Sequence, residues 1–452
     1  MRNSINRPID GMAVHLAIAL ACSGAIQPVL ADSPRGSTVR VEGNPETGFQ
    51  LLRNGKPFVI HGVGGTAHIA LLAACGGNCI RTWDIASAER VTEGKSLLDE
   101  AHEHGVAVTV GLWLGHERHG FRYNDSAQVD RQRKDIEQSV RRLRNHPAVL
   151  MWGLGNEMEG PTGAGDSAAV WREVNHLKGL IKNLDPNHPV MTVVANVNPV
   201  KVAAIQKYAP DVDILGINAY AGAAGIGTAL RQHGWQKPYC VTEYGLPGPW
   251  EVPHTNWKAP IEPSSREKAA MYNAATSAIL ADTASRRPQA HPPGCLGSFA
   301  FLWGHKQEAT ATWFGMLLPS GEKTLVVDAV AEAWTGNWPA NRAPVLKRSD
   351  VPLAGQRRRG GETVAVAVTY KDPEGDTLSY EWDVVKESTD RKEGGDAEAR
   401  PDSVPGCVTP TDDPGSVTVT LPTEPGAYRL FVTVRDGKGS GCSDNWPFFV
   451  SP

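Results

Sequence analysis

The chain has 452 residues, of which 41% are hydrophobic and 21% charged, and a formal net charge of −4. Such a composition excludes a disordered chain, and the lack of a basic stripe argues against a nucleic-acid partner. The length holds one domain of about 250 residues with room for a second module.

Residues 1–31 read as a secretory signal, with Arg2 and Arg7 as the positive n-region, an apolar stretch from Met12 to Ile26, and Val29-Leu30-Ala31 as the cleavage site. Ser23, Gly24, Gln27 and Pro28 interrupt that stretch before it reaches the roughly 20 apolar residues of a membrane span. The expectation is an exported protein, periplasmic or extracellular, with no membrane span after cleavage. Lipidation at Cys22 is the weaker alternative, because Ala19 stands where a lipoprotein signal usually has Leu. Seven cysteines less Cys22 leave six, an even number in an oxidising compartment, so disulfides are expected. Cys407 with Cys442 is the favoured pair, Cys75 and Cys79 flank a turn and are a second, and Cys240 and Cys295 read equally well as buried thiols. A zinc site at Cys75 and Cys79 lacks a second Cys/His pair.

Val39–Leu52 followed by Arg53-Asn54-Gly55-Lys56 reads as a β-hairpin with an Asn-Gly turn, placed to plug the bottom of a barrel. From Pro57 to Trp338, apolar runs alternate with amphipathic stretches. The runs are Phe58–Gly62, Asn78–Trp83, Ala107–Trp113, Val149–Leu154, Val190–Ala195, Ile214–Asn218, Tyr239–Thr242 and Leu296–Leu302. Their continuous apolarity implies strands buried on both faces, and eight of them imply a closed (β/α)8 TIM barrel, an α/β fold. Val129, Ile136, Val140 and Leu143 recur at helical spacing, as on a helix outside the barrel; Asp166 or Ser167 caps the next helix and Asp185-Pro186-Asn187 stops it.

Beyond Trp338 the pattern changes to prolines, an Arg-rich run and then period-two alternation in Glu362–Tyr370, Leu378–Val384, Ser416–Leu421 and Tyr428–Arg435. The expected domains are a barrel over 32–342 including its hairpin, a linker over 343–361, and a small all-β immunoglobulin-like sandwich over 362–452. Asn341-Arg-Ala-Pro, Asp372-Pro-Glu-Gly-Asp-Thr-Leu-Ser-Tyr-Glu-Trp and Val434-Arg-Asp-Gly give this module a resemblance to polycystic-kidney-disease and cadherin-like immunoglobulin modules. Its Asp-rich turns suit Ca²⁺ less well than they suit the backbone needs of hairpins. Without paired catalytic groups, it reads as a spacer or adhesion module.

In a barrel of this kind the carboxyl ends of the strands face the active site. Here those ends carry Arg81, Trp83 and Asp84; Trp113 and His116; Asn156 and Glu157; Asn196 and Asn198; Asn218 and Tyr220; Glu243 and Tyr244; and Trp303 and His305. A lone Glu in such a place is usually a solvated loop charge, but agreement over seven ends weakens that interpretation. Glu157 and Glu243 close the fourth and seventh strands, whose ends face one another. Retaining glycoside cleavage needs two carboxyl groups about 5–5.5 Å apart, one to attack the anomeric carbon and one to protonate the departing oxygen.

The runs His146-Pro-Ala-Val-Leu-Met-Trp-Gly-Leu-Gly-Asn-Glu157 and Thr242-Glu243-Tyr-Gly resemble the catalytic signatures of glycoside hydrolase family 2 and, more broadly, of clan A. The resemblance implies Glu157 as acid/base and Glu243 as nucleophile. It matches Arg81, Tyr220 and Trp303 to the Arg, aromatic and Trp at the ends of strands two, six and eight. Physically, Asn156 suits a sugar 2-hydroxyl, Arg81 and Tyr220 favour the charged form of Glu243, and Trp303 offers an apolar floor to the sugar, with a packed core Trp as its bland alternative. Trp83, Trp113, His116 and Asn218 are further substrate-binding candidates. No metal and no cofactor are expected; His116-x-x-His119 lacks a third ligand. Glu159 reads as a substrate-binding carboxylate or a solvated loop charge, and Trp250 and Trp257 in the long loop after Glu243 as sugar platforms or packing residues.

Family 2 members typically carry a jelly-roll and an immunoglobulin-like domain ahead of the barrel. Neither is read here, which suggests a more open cleft, as in family 5. The expected activity is hydrolysis of a β-linked glucan or related polysaccharide or oligosaccharide with retention. Alternatives are a transglycosylase with the same chemistry and a non-catalytic carbohydrate-binding protein.

Overall fold

The structure, a computed structural model, describes residues 36–160, 163–284, 292, 294–392 and 395–452. The signal reading of residues 1–31 and Cys22 lie outside them. Eight parallel strands close into a barrel in sequential order: β1 (Ile60–Gly64), β2 (Cys79–Arg81), β3 (Ala107–Leu112), β4 (Val149–Leu154), β5 (Val190–Ala195), β6 (Ile214–Asn218), β7 (Tyr239–Tyr244) and β8 (Cys295–Ala300). Every residue of β3, β4, β7 and β8 is buried, because one face fills the barrel and the other meets the helices. The helix Ser126–Leu143 buries Val129, Ile136 and Val140 and is capped by the Asp125 carboxylate, which accepts from the Ala127 and Gln128 amides. Ser167 stands at the N-cap of the helix Ala168–Leu184 without a side-chain capping bond, and Asp185 stands at its C-cap.

The plug forms as its pattern suggests, with one more strand. Val39–Asn44 pairs with Gly48–Arg53, and the Asn54-Gly55 turn, with φ of 52° and 74°, returns the chain into the short strand Lys56–Pro57. Val39 and Leu51 pack against Ile60, Leu150, Met191, Ile214 and Phe299 at the amino-terminal side of the barrel strands. The opposite end is therefore the open one.

The C-terminal region is a sandwich of two four-stranded sheets. β9 (Val345–Asp350), β11 (Thr363–Lys371), β14 (Ser416–Thr420) and β13 (Val408–Pro410) form one in that order. β10 (Arg357–Arg359), β16 (Gly441–Ser451), β15 (Gly426–Arg435) and β12 (Ser379–Lys386) form the other. Val364, Val366 and Val419 of one sheet pack on Leu430, Phe448 and Val450 of its partner. The stretch 343–361, expected as a linker, supplies β9 and β10; its exposed polar residues hide the pattern because these are outer strands.

The six described cysteines are all unpaired and buried, so the expected disulfides are absent. Cys407 packs with Val417 and Tyr428 while Cys442 packs with Val368 and Val434, two separate apolar clusters of the sandwich. Cys75 and Cys79 diverge likewise, Cys75 joining the main barrel core and Cys79 the cluster at the plugged end. Asp372 Oδ1 accepts from the amides of Glu374, Gly375 and Asp376, the turn role its sequence suggests; Asp372, Asp376 and Asp436 also bring one oxygen each within 4.8 Å of the others.

The sandwich is bonded to the barrel rather than tethered beside it. Asp444 accepts from the Ser265 amide at 2.6 Å and the Ser265 hydroxyl at 2.7 Å, Arg429 donates to the Pro260 carbonyl at 2.9 Å, and Asn445 donates to Glu262 at 2.8 Å. These groups are buried, so each needs its partner across the junction. Trp257 belongs here too, 5.7 Å from the Phe449 ring and beneath the Arg357 guanidinium. No helix among the described residues is long and apolar enough to cross a membrane.

Candidate active site

The strand ends converge on a cleft of about 510 Å³ lined by Trp83, Trp113, Asn156, Glu157, Asn218, Tyr220 and Glu243. Seven of the ten residues singled out from sequence thus share its wall. Arg81 lies directly behind. One of its guanidinium nitrogens donates to Glu243 Oε1 at 2.9 Å and the other to Asn156 Oδ1 at 2.7 Å. Trp83 Nε1 donates to the same Glu243 oxygen at 2.8 Å, and the Tyr220 hydroxyl donates to Oε2 at 2.9 Å. Three donors on one carboxylate suit the acceptor-only, ionised form and fix its direction. Burial and the nearby Glu243 and Glu157 charges hold the Tyr220 phenol well above its ordinary range, so it stays a donor.

Glu157 sits in a different environment. Gly155 and Glu157 both take left-handed backbone, with φ of 73° and 53°, and the Glu157 amide donates to the Val193 carbonyl. A non-glycine residue in that region is strained, and the neighbouring strand holds it there. Asn218 Nδ2 donates to Glu157 Oε1 at 2.8 Å and to Asn156 Oδ1 at 3.1 Å, while Thr242 donates to the Asn218 carbonyl oxygen at 2.8 Å and orients it. Both bonds of Asn156 fall on its oxygen, which leaves the amide NH2 for a sugar hydroxyl. Burial first, and the Glu243 charge second, push Glu157 up to about 7. The two carboxyl groups thus stand in contrasting surroundings, Glu243 clasped by three donors and Glu157 pushed up by burial and by Glu243.

Two expected site residues are placed differently. Trp303 is 2% exposed, and its indole N–H donates to the Ala67 carbonyl, so it packs in the core as its bland alternative has it. Phe301 lines the cleft instead, edge-on to Trp83 at 6.0 Å and Tyr220 at 5.8 Å. The break comes just past β8, where the backbone leaves strand alternation. His116 is off the main cleft, in a small pocket beside Glu157; burial, and then Arg118 and His119, lower it to about 4, so it is neutral. Its ring stacks at 4.8 Å under Trp113, which is 42% exposed and forms a platform at the rim.

Of the uncertain residues, Trp250 is 62% exposed and reaches the cleft edge-on to Tyr220 at 5.9 Å, whereas Trp257 is spent on the sandwich junction. Glu159 is neither a solvated charge nor a cleft residue. It is buried, pairs with Lys201 at 2.9 Å and accepts from the Ala195 amide at 2.5 Å, which anchors the loop after β4 to the end of β5. Lys306, Glu308 and Asp396 also line the cleft, and sequence reading singled out none of them. Lys306 follows Trp303 closely enough to have been found by extending the strand-eight end, whereas Asp396 comes from the sandwich and carries no local signal.

The fold is a closed TIM barrel with Glu157 just past the end of β4 and the donor-clasped Glu243 at the end of β7. Residues 47–248 match the glycosyl hydrolases family 2 TIM barrel domain. The chain is similar to the β-glucuronidase of Homo sapiens, 30% identical over 236 residues, which cover 44% of this chain and 32% of the relative. It is equally similar to the β-glucuronidase of Pongo abelii, 30% identical over 235 residues with the same two coverages. The matches thus span about a third of these relatives' length. Among solved structures, Bacteroides uniformis β-glucuronidase 2 covalently bound to cyclophellitol-6-carboxylate aziridine aligns with a TM-score of 0.48 at 16% identity, over 92% of this chain and 48% of that one.

Proposed function

We propose that this chain is a retaining β-glycosidase in which Glu243 is the nucleophile and Glu157 the acid/base. The observation that carries the proposal is the contrast between the two carboxyl groups: Glu243 clasped by Arg81, Trp83 and Tyr220, and Glu157 pushed up to about 7. Glu243 attacks the anomeric carbon as its bond to the leaving oxygen breaks, and Glu157 delivers its proton to that oxygen. Glu157, now ionised, takes a proton from water as the water displaces Glu243 from the anomeric carbon, which restores both groups. Arg81 and Tyr220 hold Glu243 in line, Asn156 offers its amide to the 2-hydroxyl, and Phe301 supplies an apolar floor.

For the sugar, two observations support a β-glucuronide over the β-glucan expected from an open cleft. The curated relatives are β-glucuronidases. Lys306 stands on the cleft wall, with one N–H bonded to Glu308 at 2.9 Å and one to the Gly395 carbonyl at 2.7 Å, which leaves a third for a sugar carboxylate. A neutral β-glycoside is the second reading, favoured by the charge that Glu308 already places against Lys306. The secretory-signal pattern of residues 1–31 supports action outside the cytoplasm.

The test is turnover of 4-nitrophenyl β-glucuronide, β-glucoside and β-galactoside by the full chain, with the anomer of the first-formed sugar read by NMR. The β-anomer is expected, together with loss of turnover in Glu243→Gln. An α-anomer as first product, or undiminished turnover in that variant, overturns the mechanism.

A further inference from the structure

The segment between β12 and β13 leaves the sandwich and reaches the mouth of the barrel. On one side, the Gly395 carbonyl accepts from Lys306 at 2.7 Å and Glu398 accepts from the Ala309 amide at 2.7 Å, both beyond β8. On the other side, Asp396 faces His119 at 3.4 Å, beyond β3. Residues 395–398 thus form a bar that contacts the barrel loops after β8 and after β3. Asp396 is a wall residue of the cleft itself, and its charge is felt at His116, which flanks Glu157.

We propose that Asp396 is a specificity-determining residue supplied by the sandwich, selecting neutral or cationic leaving groups over anionic ones. The proposal rests on the glycosidase reading of Glu157 and Glu243. Glu157 protonates the leaving oxygen, so the leaving group lies on the side of Glu157, and that side is where the bar brings Asp396. As an ionised carboxylate, Asp396 accepts hydrogen bonds from hydroxyl or ammonium groups of the leaving sugar and repels a carboxylate, sulfate or phosphate. Glu251 on the same cleft adds to the repulsion, and Lys306, the one cation among the described lining residues, forms an ion pair with Glu308. The sandwich is then a working wall of the active site and not a spacer.

The experiment uses the full chain with three aryl β-glycosides of the accepted sugar, whose aryl groups are neutral, carboxylate-bearing or trimethylammonium-bearing, and their uncleavable thioglycosides. The neutral compound is expected to outperform the carboxylate in kcat/KM and in thioglycoside affinity. Asp396→Asn should shrink that preference roughly three- to five-fold at low ionic strength, the scale of one partly screened charge a few ångströms away, with the melting temperature little changed. The substitution is isosteric at a half-exposed position, so folding is not at risk. An unchanged ratio in Asp396→Asn overturns the role of Asp396 while leaving the glycosidase reading intact. Absence of turnover on every glycoside sinks that reading instead, and thioglycoside binding then still decides the wall: affinity insensitive to aryl charge, or no binding at all, overturns it.

Discussion

Arg81 donates to Glu243 Oε1 at 2.9 Å, and the two side chains are only 2% and 7% exposed, an ion pair almost wholly withdrawn from water. Removing one partner strands the other's charge. Arg81→Met should cost about 3–5 kcal/mol of stability, measured by urea denaturation, and lower kcat/KM by about 10²–10³ as the carboxylate loses its alignment. Arg81→Lys restores charge but not the fork to Asn156, so stability recovers in part and turnover hardly at all.

The position of Glu157, up to about 7 through burial and then Glu243, sets the pH profile. In the proposed mechanism its acid form protonates the leaving group, so kcat/KM should fall on the alkaline side with a limb near pH 7. A limb unchanged by Glu157→Gln in the residual activity would assign that titration elsewhere.

The same shift has a signed effect on stability. Between its ordinary value of 4.5 and about 7, folded Glu157 keeps a proton that the unfolded chain has released, so its contribution falls as pH rises through that window. Glu157→Gln escapes the penalty. Its gain over the native chain should be absent near pH 4, grow across that window and level off above pH 7 at about 3 kcal/mol at most, read from melting temperatures at both ends.

Asn218 donates to Glu157 Oε1 and so favours its ionised form. Asn218→Ala removes that donor, and the alkaline limb of the rate profile should move to higher pH. A limb that moves down would show that Asn218 acts on Glu157 by some other route.

Trp303 and Phe301 should separate stability from substrate binding. Trp303→Phe leaves the Ala67 carbonyl without its donor and costs about 1–3 kcal/mol with KM within roughly two-fold of the native value. Phe301→Ala removes the cleft floor and should raise KM several-fold more than Trp303→Phe.

The junction of Asp444 with Ser265 and of Arg429 with the Pro260 carbonyl predicts one cooperative unfolding transition for barrel and sandwich together. Calorimetry should show a single peak that Arg429→Met moves as a whole. Two independent peaks would mean the modules unfold separately.

Much of this was legible in the chain. Strands buried on both faces read as continuous apolar runs, and β4, β5 and β6 fall on the bounds that those runs give. Side chains at strand ends are placed by the strand itself, so Glu157, Glu243, Arg81, Asn156, Asn218 and Tyr220 needed only the barrel's closure to meet. The outer strands β9 and β10 were hidden because polar, solvent-facing strands resemble linkers.

The sequence by itself determined the barrel and the two candidate carboxylates, because both come from local periodicity and the chemistry of short motifs. Tertiary structure decided which aromatic lines the cleft, since the turn after β8 places Phe301 on its wall and Trp303 away from it. It also decided that the cysteines stay apart, that Glu159 is a buried anchor, and that Asp396, 3.4 Å from His119 of the barrel, reaches the cleft. Contacts between distant segments depend on how two packed bodies dock, and no residue pattern within either one encodes that distance.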